Sequence, residues 1–180
     1  MTRFDELTKL FDPWRKTWVE QFQEHRLLPA RIAKRFQEYL GCPESFTDLQ
    51  PDSRERHRYV SPTRAKWDEK IKEFRLEAWD KDFGEVDFHE DGFFYFGLRV
   101  FLEHGPTTFP KEAFWFLFRC KFDGSRFLVT EQKSRQELDI GFKPLNLDPL
   151  CDHLFELLKA DLGKNPMVSK LDRSNKVGFL

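Results

Sequence analysis

Apolar residues recur at spacings of three and four along the first forty positions. Phe4, Leu7, Phe11, Trp14, Trp18 and Phe22 share one helix face, and Ile32, Phe36 and Leu40 do so again further on. Asp12–Pro13 reads as a cap followed by a first-turn proline, so the pattern predicts one helix closing near Phe11 and a second opening at Pro13. Pro29 opens the next segment, and Gly41 falls where a C-cap is needed. Residues 1–41 are thus predicted helical. Residues 42–61 are polar, hold two prolines and read as a long loop. After Ser61–Pro62, the spacing of Trp67, Ile71 and Phe74 predicts a helix over 62–78.

From about Phe83 the period changes to two. Residues 83–89 alternate, Glu90-Asp91-Gly92 marks a turn, and 93–103, 113–122, 126–132 and 137–142 read as further strands. Asp123–Gly124 is the strongest hairpin signal in the chain. Asp148–Pro149 opens a last helix over 148–162, with Leu150, Leu154, Leu157 and Leu158 on one face. The predicted fold class is α+β: an antiparallel β-meander of about four to five strands (roughly 83–142), with N-terminal helices and one C-terminal helix packed on the sheet. Residues 1–164 form a single domain in this reading, and residues 165–180 a C-terminal arm.

Composition adds one anomaly. The chain has 21 Phe and 5 Trp in 180 residues. A domain of this size buries roughly 70% of the surface its unfolded chain exposes, and the rings suffice to fill that core. Any surplus would line a cavity or an apolar partner surface. Lys+Arg is 30 against Asp+Glu 31, so nothing suggests the broad positive field of a nucleic-acid binder or a polybasic membrane anchor. No stretch approaches the ~18 consecutive apolar residues of a membrane span, and the first residues lack the apolar run of a signal peptide. Cys42, Cys120 and Cys151 are odd in number and far apart, which reads as reduced thiols in a cytoplasmic protein.

Four features bear on chemistry. Glu85, Asp87 and His89 alternate on a predicted strand, so they share a face, and that donor set suits a divalent metal. Glu131 and Lys133 close another strand. This pair resembles the metal- and phosphate-handling half of restriction-nuclease-like enzymes. The resemblance implies a carboxylate on a metal and a lysine beside developing charge. It also requires an upstream acid, for which Asp123 is available but better explained as a turn residue. Arg99 and Arg119 lie within apolar strands. Each must find an anion, a carbonyl or solvent, and the two could share one small anionic ligand. Finally, residues 54–75 carry eight Lys/Arg against four Asp/Glu, whereas residues 77–91 carry seven acids against one lysine. Such blocks pair with each other or dock a charged partner.

No GxSxG elbow, glycine-rich phosphate loop or cofactor motif is present, and no serine has a recognisable base partner. The expected function is a non-catalytic protein-interaction module, with a homodimer through the aromatic-rich sheet as one form. The alternatives are a small-molecule carrier or sensor, with a Phe-lined cavity and an arginine contact, and a metal-dependent hydrolase or nuclease.

Overall fold

A computed structural model of the protein describes residues 2–47, 56–78, 92–103 and 112–164. The architecture is α+β. In chain order the elements are α1 (Arg3–Leu40), β1 (Ser45–Thr47), β2 (Arg56–Arg58), β3 (Val60–Asp68), β4 (Glu73–Ala78), β5 (Phe94–Leu102), β6 (Glu112–Phe122), β7 (Arg126–Glu131), β8 (Glu137–Gly141) and α2 (Asp148–Leu162). Strands β3 to β8 form one antiparallel sheet in the order β4-β3-β5-β6-β7-β8, and β1 pairs with β2 alone.

The N-terminal segment is one 38-residue helix running through both prolines, in place of the separate helices read from Pro13 and Pro29. A capping box starts it: Thr2 Oγ1 accepts from the Asp5 amide, and the Asp5 carboxylate accepts from the Thr2 amide. Gly41, at φ 62°, closes it. An interior proline costs a helix about 3 kcal/mol. Around Pro29 that cost is offset by tertiary packing, because Leu28, Pro29, Ile32, Ala33 and Phe36 are all buried.

The helix predicted over 62–78 is instead the β3–β4 hairpin. Trp67 and Phe74 oppose each other across it with ring centroids 5.0 Å apart. The turn explains the misreading. Lys72 N donates to Asp68 O at 2.8 Å and the Asp68 side chain accepts from Lys70 N, so one helix-like turn separates the strands. Lys72 takes a left-handed φ of 53° to re-enter β4. Among the described residues β4 pairs no further than Thr63, so Pro62 removes no described ladder bond of β3. The 42–61 segment is likewise not all loop, since it contributes β1 and β2. The meander therefore holds from β5 to β8, while the added first hairpin is reversed: β3 pairs with β5, and β4 lies at the edge. The strand read over 83–89 and the arm at 165–180 lie outside the described residues.

Alternation sorts the sheet into two faces. On one, Phe94, Phe96, Leu98 and Val100 of β5 meet Phe114, Phe116, Phe118 and Cys120 of β6, Phe127 and Val129 of β7, and Ile140 of β8, all buried. Leu28, Ile32 and Phe36 of α1 and Leu150, Leu154 and Leu158 of α2 complete this core. Rings stack along it, Phe96 on Phe118 at 5.0 Å and Phe94 on Phe96 at 5.6 Å. Two polar contacts lock α1 to α2: Arg35 to Asp148 at 2.6 Å, and the Tyr39 hydroxyl to Asp152 at 2.6 Å. The second face carries Trp67, Phe74, Tyr95, Arg99, Phe101, Trp115, Leu117 and Arg119. There the small side chain of Ala65 lets Phe74 stack on Tyr95, with centroids 3.9 Å apart.

Candidate functional site

Both arginines noted in the sequence stand on the second face. The Arg99 guanidinium carbon lies 4.8 Å from the Phe101 ring centroid and 5.5 Å from that of Trp115. Its Nε is buried with no hydrogen-bond partner among the described residues, and burial lowers its pKa below the ordinary arginine value. The Arg119 guanidinium lies 3.5 Å above the Phe93 ring. Arg99 faces Trp115 across the ladder and Arg119 faces Tyr95, four positions along β5. That separation is about 13 Å. With each held over different rings, the two arginines do not converge on one small ligand.

Glu131 and Lys133 have contacts that account for both side chains. Glu131 is 2% exposed, and its carboxylate accepts from Lys133 N at 3.1 Å and Ser134 N at 2.7 Å, capping the β7–β8 turn. Lys133 turns away to Asp161 of α2 at 2.6 Å, and Lys164 joins the same carboxylate. The acid and the lysine therefore do not face a common point. Asp123 caps its hairpin turn, accepting from the Ser125 and Arg126 amides and from Arg126 Nε, and these contacts hold its carboxyl well below the usual range. Glu85, Asp87 and His89 lie outside the described residues. Among those described, no three His, Cys, Asp or Glu gather as a metal site. Within the basic block, Arg64 pairs in register with Glu77, and Arg75 reaches Asp68 at 2.8 Å.

One polar pair escaped the sequence reading. Ser134 Oγ and His153 Nε2 share a hydrogen bond of 3.0 Å between the β7–β8 turn and α2. Nineteen residues separate them, and no motif links a turn serine to a helix histidine. The hydroxyl also accepts from Gln136 N at 3.3 Å, which is the geometry of a turn brace.

Among the described residues, the most extensive exposed apolar surface lies on α1. Its apolar stripe has two halves. His25, Leu28, Ile32 and Phe36 are buried in the core. The same stripe continues toward the N-terminus through Trp18, Trp14, Phe11, Leu7 and Phe4, and there it stands in solvent. Phe4 is 76% exposed, Leu10 69%, Leu7 65% and Trp14 60%; Phe11, Trp18 and Val19 are exposed as well. Residues 3–20 are all exposed, a projecting arm of about 27 Å at 1.5 Å per residue. Rings stack along the arm, Phe11 on Trp14 at 5.7 Å and Trp18 on Phe22 at 5.3 Å. Where the helix joins the body, His25 is caged edge-on by Phe94, Phe127 and Phe122, and its Nδ1–H donates to Gln21 O at 2.6 Å. Beside this joint, Thr17, Glu20, Gln21, Glu24, Phe122 and Phe142 help to line a cleft of about 210 Å³ of mixed polar and apolar character, with no arginine in it.

No protein-family model, curated protein or solved structure matches the chain. No described helix is long and apolar enough to cross a membrane.

Proposed function

We propose that the protein is a non-catalytic protein-interaction module whose docking element is the N-terminal half of α1, residues 3–20. The observation that carries this reading is the exposed stripe from Phe4 to Val19. At roughly 150–250 Å² per ring, its four exposed aromatics alone present on the order of 500 Å², with Leu7, Leu10 and Val19 in addition. That reaches or passes the largest apolar patch of an ordinary monomer, about 300–600 Å², and such patches mark interaction sites. Trp and Phe are also the side chains that anchor protein interfaces. The three unpaired cysteines, two of them buried, fit a cytoplasmic setting.

The test replaces Leu7, Phe11, Trp14 and Trp18 together by Gln. The body should unfold within about 2 °C of the unaltered protein, because exposed positions change stability by less than about 0.5 kcal/mol. Binding of a hydrophobic-surface dye should fall sharply. With the protein dilute enough to be monomeric, a drop of several degrees in Tm, or unchanged dye binding, would mean that the stripe belongs to the body's own packing.

A second reading, a carrier of a small anion, draws on one observation: the buried Arg99 Nε without a hydrogen-bond partner among the described residues. It predicts a Tm rise with one class of anionic metabolite that Arg99→Met abolishes. No shift across a panel of phosphates, carboxylates and fatty acids removes it.

A further inference from the structure

Resting on that reading of residues 3–20, we infer that the arm's occupant is the same arm of a second copy of this chain, packed antiparallel about a twofold axis between Leu10 and Phe11. Two features of the arm lead there. The first is its apolar order. About that axis Leu7 faces the partner's Trp14, Phe4 stands within one residue of the partner's Trp18, and Leu10 and Phe11 meet at the centre. A twofold pair needs this self-complementary arrangement. Two such faces contribute on the order of 1,000 Å² from the rings alone, the size at which an interface becomes specific.

The second feature is Pro13. It sits inside the arm, where every residue is exposed, so no burial in the body offsets the helical bond it removes. An isolated helix of this length is marginal in water even without a proline. A partner helix supplies the missing packing. Antiparallel pairing also places the two bodies at opposite ends of the pair, clear of each other. A lipid surface fits less well, because Arg3, Lys9, Arg15 and Lys16 are matched by Asp5, Glu6, Asp12 and Glu20, which leaves no net positive charge toward anionic lipid.

The experiment is light scattering of the full chain from micromolar to hundreds of micromolar, with acrylamide quenching of variants that keep only Trp14 or Trp18. The expected mass is twice 21.7 kDa, with both tryptophans shielded at high concentration and quenchable on dilution. Leu7→Glu with Trp14→Glu should be monomeric with the body's unfolding unchanged. In a Cys42→Ser background, spin labels at Leu10→Cys should couple strongly to their counterparts in the dimer and labels at Arg3→Cys only weakly, because antiparallel pairing sets the two copies of position 3 at opposite ends. A dimer in which the Arg3→Cys labels couple strongly overturns the antiparallel geometry. A monomer with quenchable tryptophans at every concentration overturns self-pairing and leaves the arm as a site for another protein. A monomer with shielded tryptophans overturns both readings. A monomer that binds phosphatidylcholine/phosphatidylglycerol vesicles through the arm overturns both in favour of a lipid surface.

Discussion

Gly97 is the point where the sheet tolerates no side chain. It lies in the middle of β5, opposite Thr63 of β3 and Leu117 of β6. A Cβ built there would sit 2.2 Å from Thr63 Oγ1 and 2.6 Å from Leu76 Cδ2. Both distances lie far inside van der Waals contact, and Thr63 is only 1% exposed, so it cannot swing into solvent. Gly97→Ala should therefore destabilise by about 1–3 kcal/mol, the usual range for overpacking. For a domain of this length that lowers Tm by roughly 2–10 °C. Thr63 allows a sharper check. Its hydroxyl is buried without a hydrogen-bond partner among the described residues, so Thr63→Ala removes a desolvated group and should be close to neutral or stabilising. It also removes the nearest clashing atom. The pair Gly97→Ala and Thr63→Ala should then couple by at least about 0.5 kcal/mol in a double-mutant cycle read by urea unfolding, with part of the single-variant loss recovered. A neutral Gly97→Ala, or strict additivity, would refute the packing described for the second face.

Two further outcomes follow from buried polar groups. Burial holds the His25 pKa below its ordinary value of 6.5, so the folded state favours the neutral ring. Stability is whole above about pH 6.5 and declines as pH falls through the window between 6.5 and the lower folded value, because the unfolded chain takes up the proton first. His25→Phe should flatten this part of the stability–pH curve relative to the unaltered protein, and an equal slope in both would refute the assignment. Glu131→Ala should cost about 1–3 kcal/mol by leaving the Lys133 and Ser134 amides without their acceptor. Glu131→Gln should recover part of that loss. A Tm that rises with Mg²⁺ or Mn²⁺ in the unaltered protein and not in Glu131→Ala would instead favour a metal site.

The elements that could be read along the chain are those whose signals are local. Strands β5 to β8 are apolar runs bounded by turn signals, Asp123 and Gly124 form the turn they predict, and α2 spans the expected 148–162. The β3–β4 hairpin was hidden because its turn places Trp67, Ile71 and Phe74 at helical spacing. Only pairing of β3 with β5, thirty-odd residues away, decides between helix and strand. Pro13 and Pro29 likewise carry a local penalty that the packing of Leu28, Ile32 and Phe36 outweighs in one case. That packing depends on β5 to β7, distant in sequence. The stripe from Phe4 to Phe22 was legible as a helix face, but its exposure was not. Periodicity says which residues share a face, and only the fold says where the sheet ends beneath it. The spacing of Arg99 and Arg119 also needed the register, which sets them about 13 Å apart.

The measurement that bears most directly on the docking arm is amide hydrogen exchange along α1 at low and high protein concentration. Amides of residues 28–36, beneath the core, should be protected equally at both. Amides of residues 6–20 should exchange rapidly when dilute and gain protection as concentration rises, in step with the mass. Protection of residues 6–20 that is the same at both concentrations, whether high or low, would contradict the claim that a second copy completes the arm.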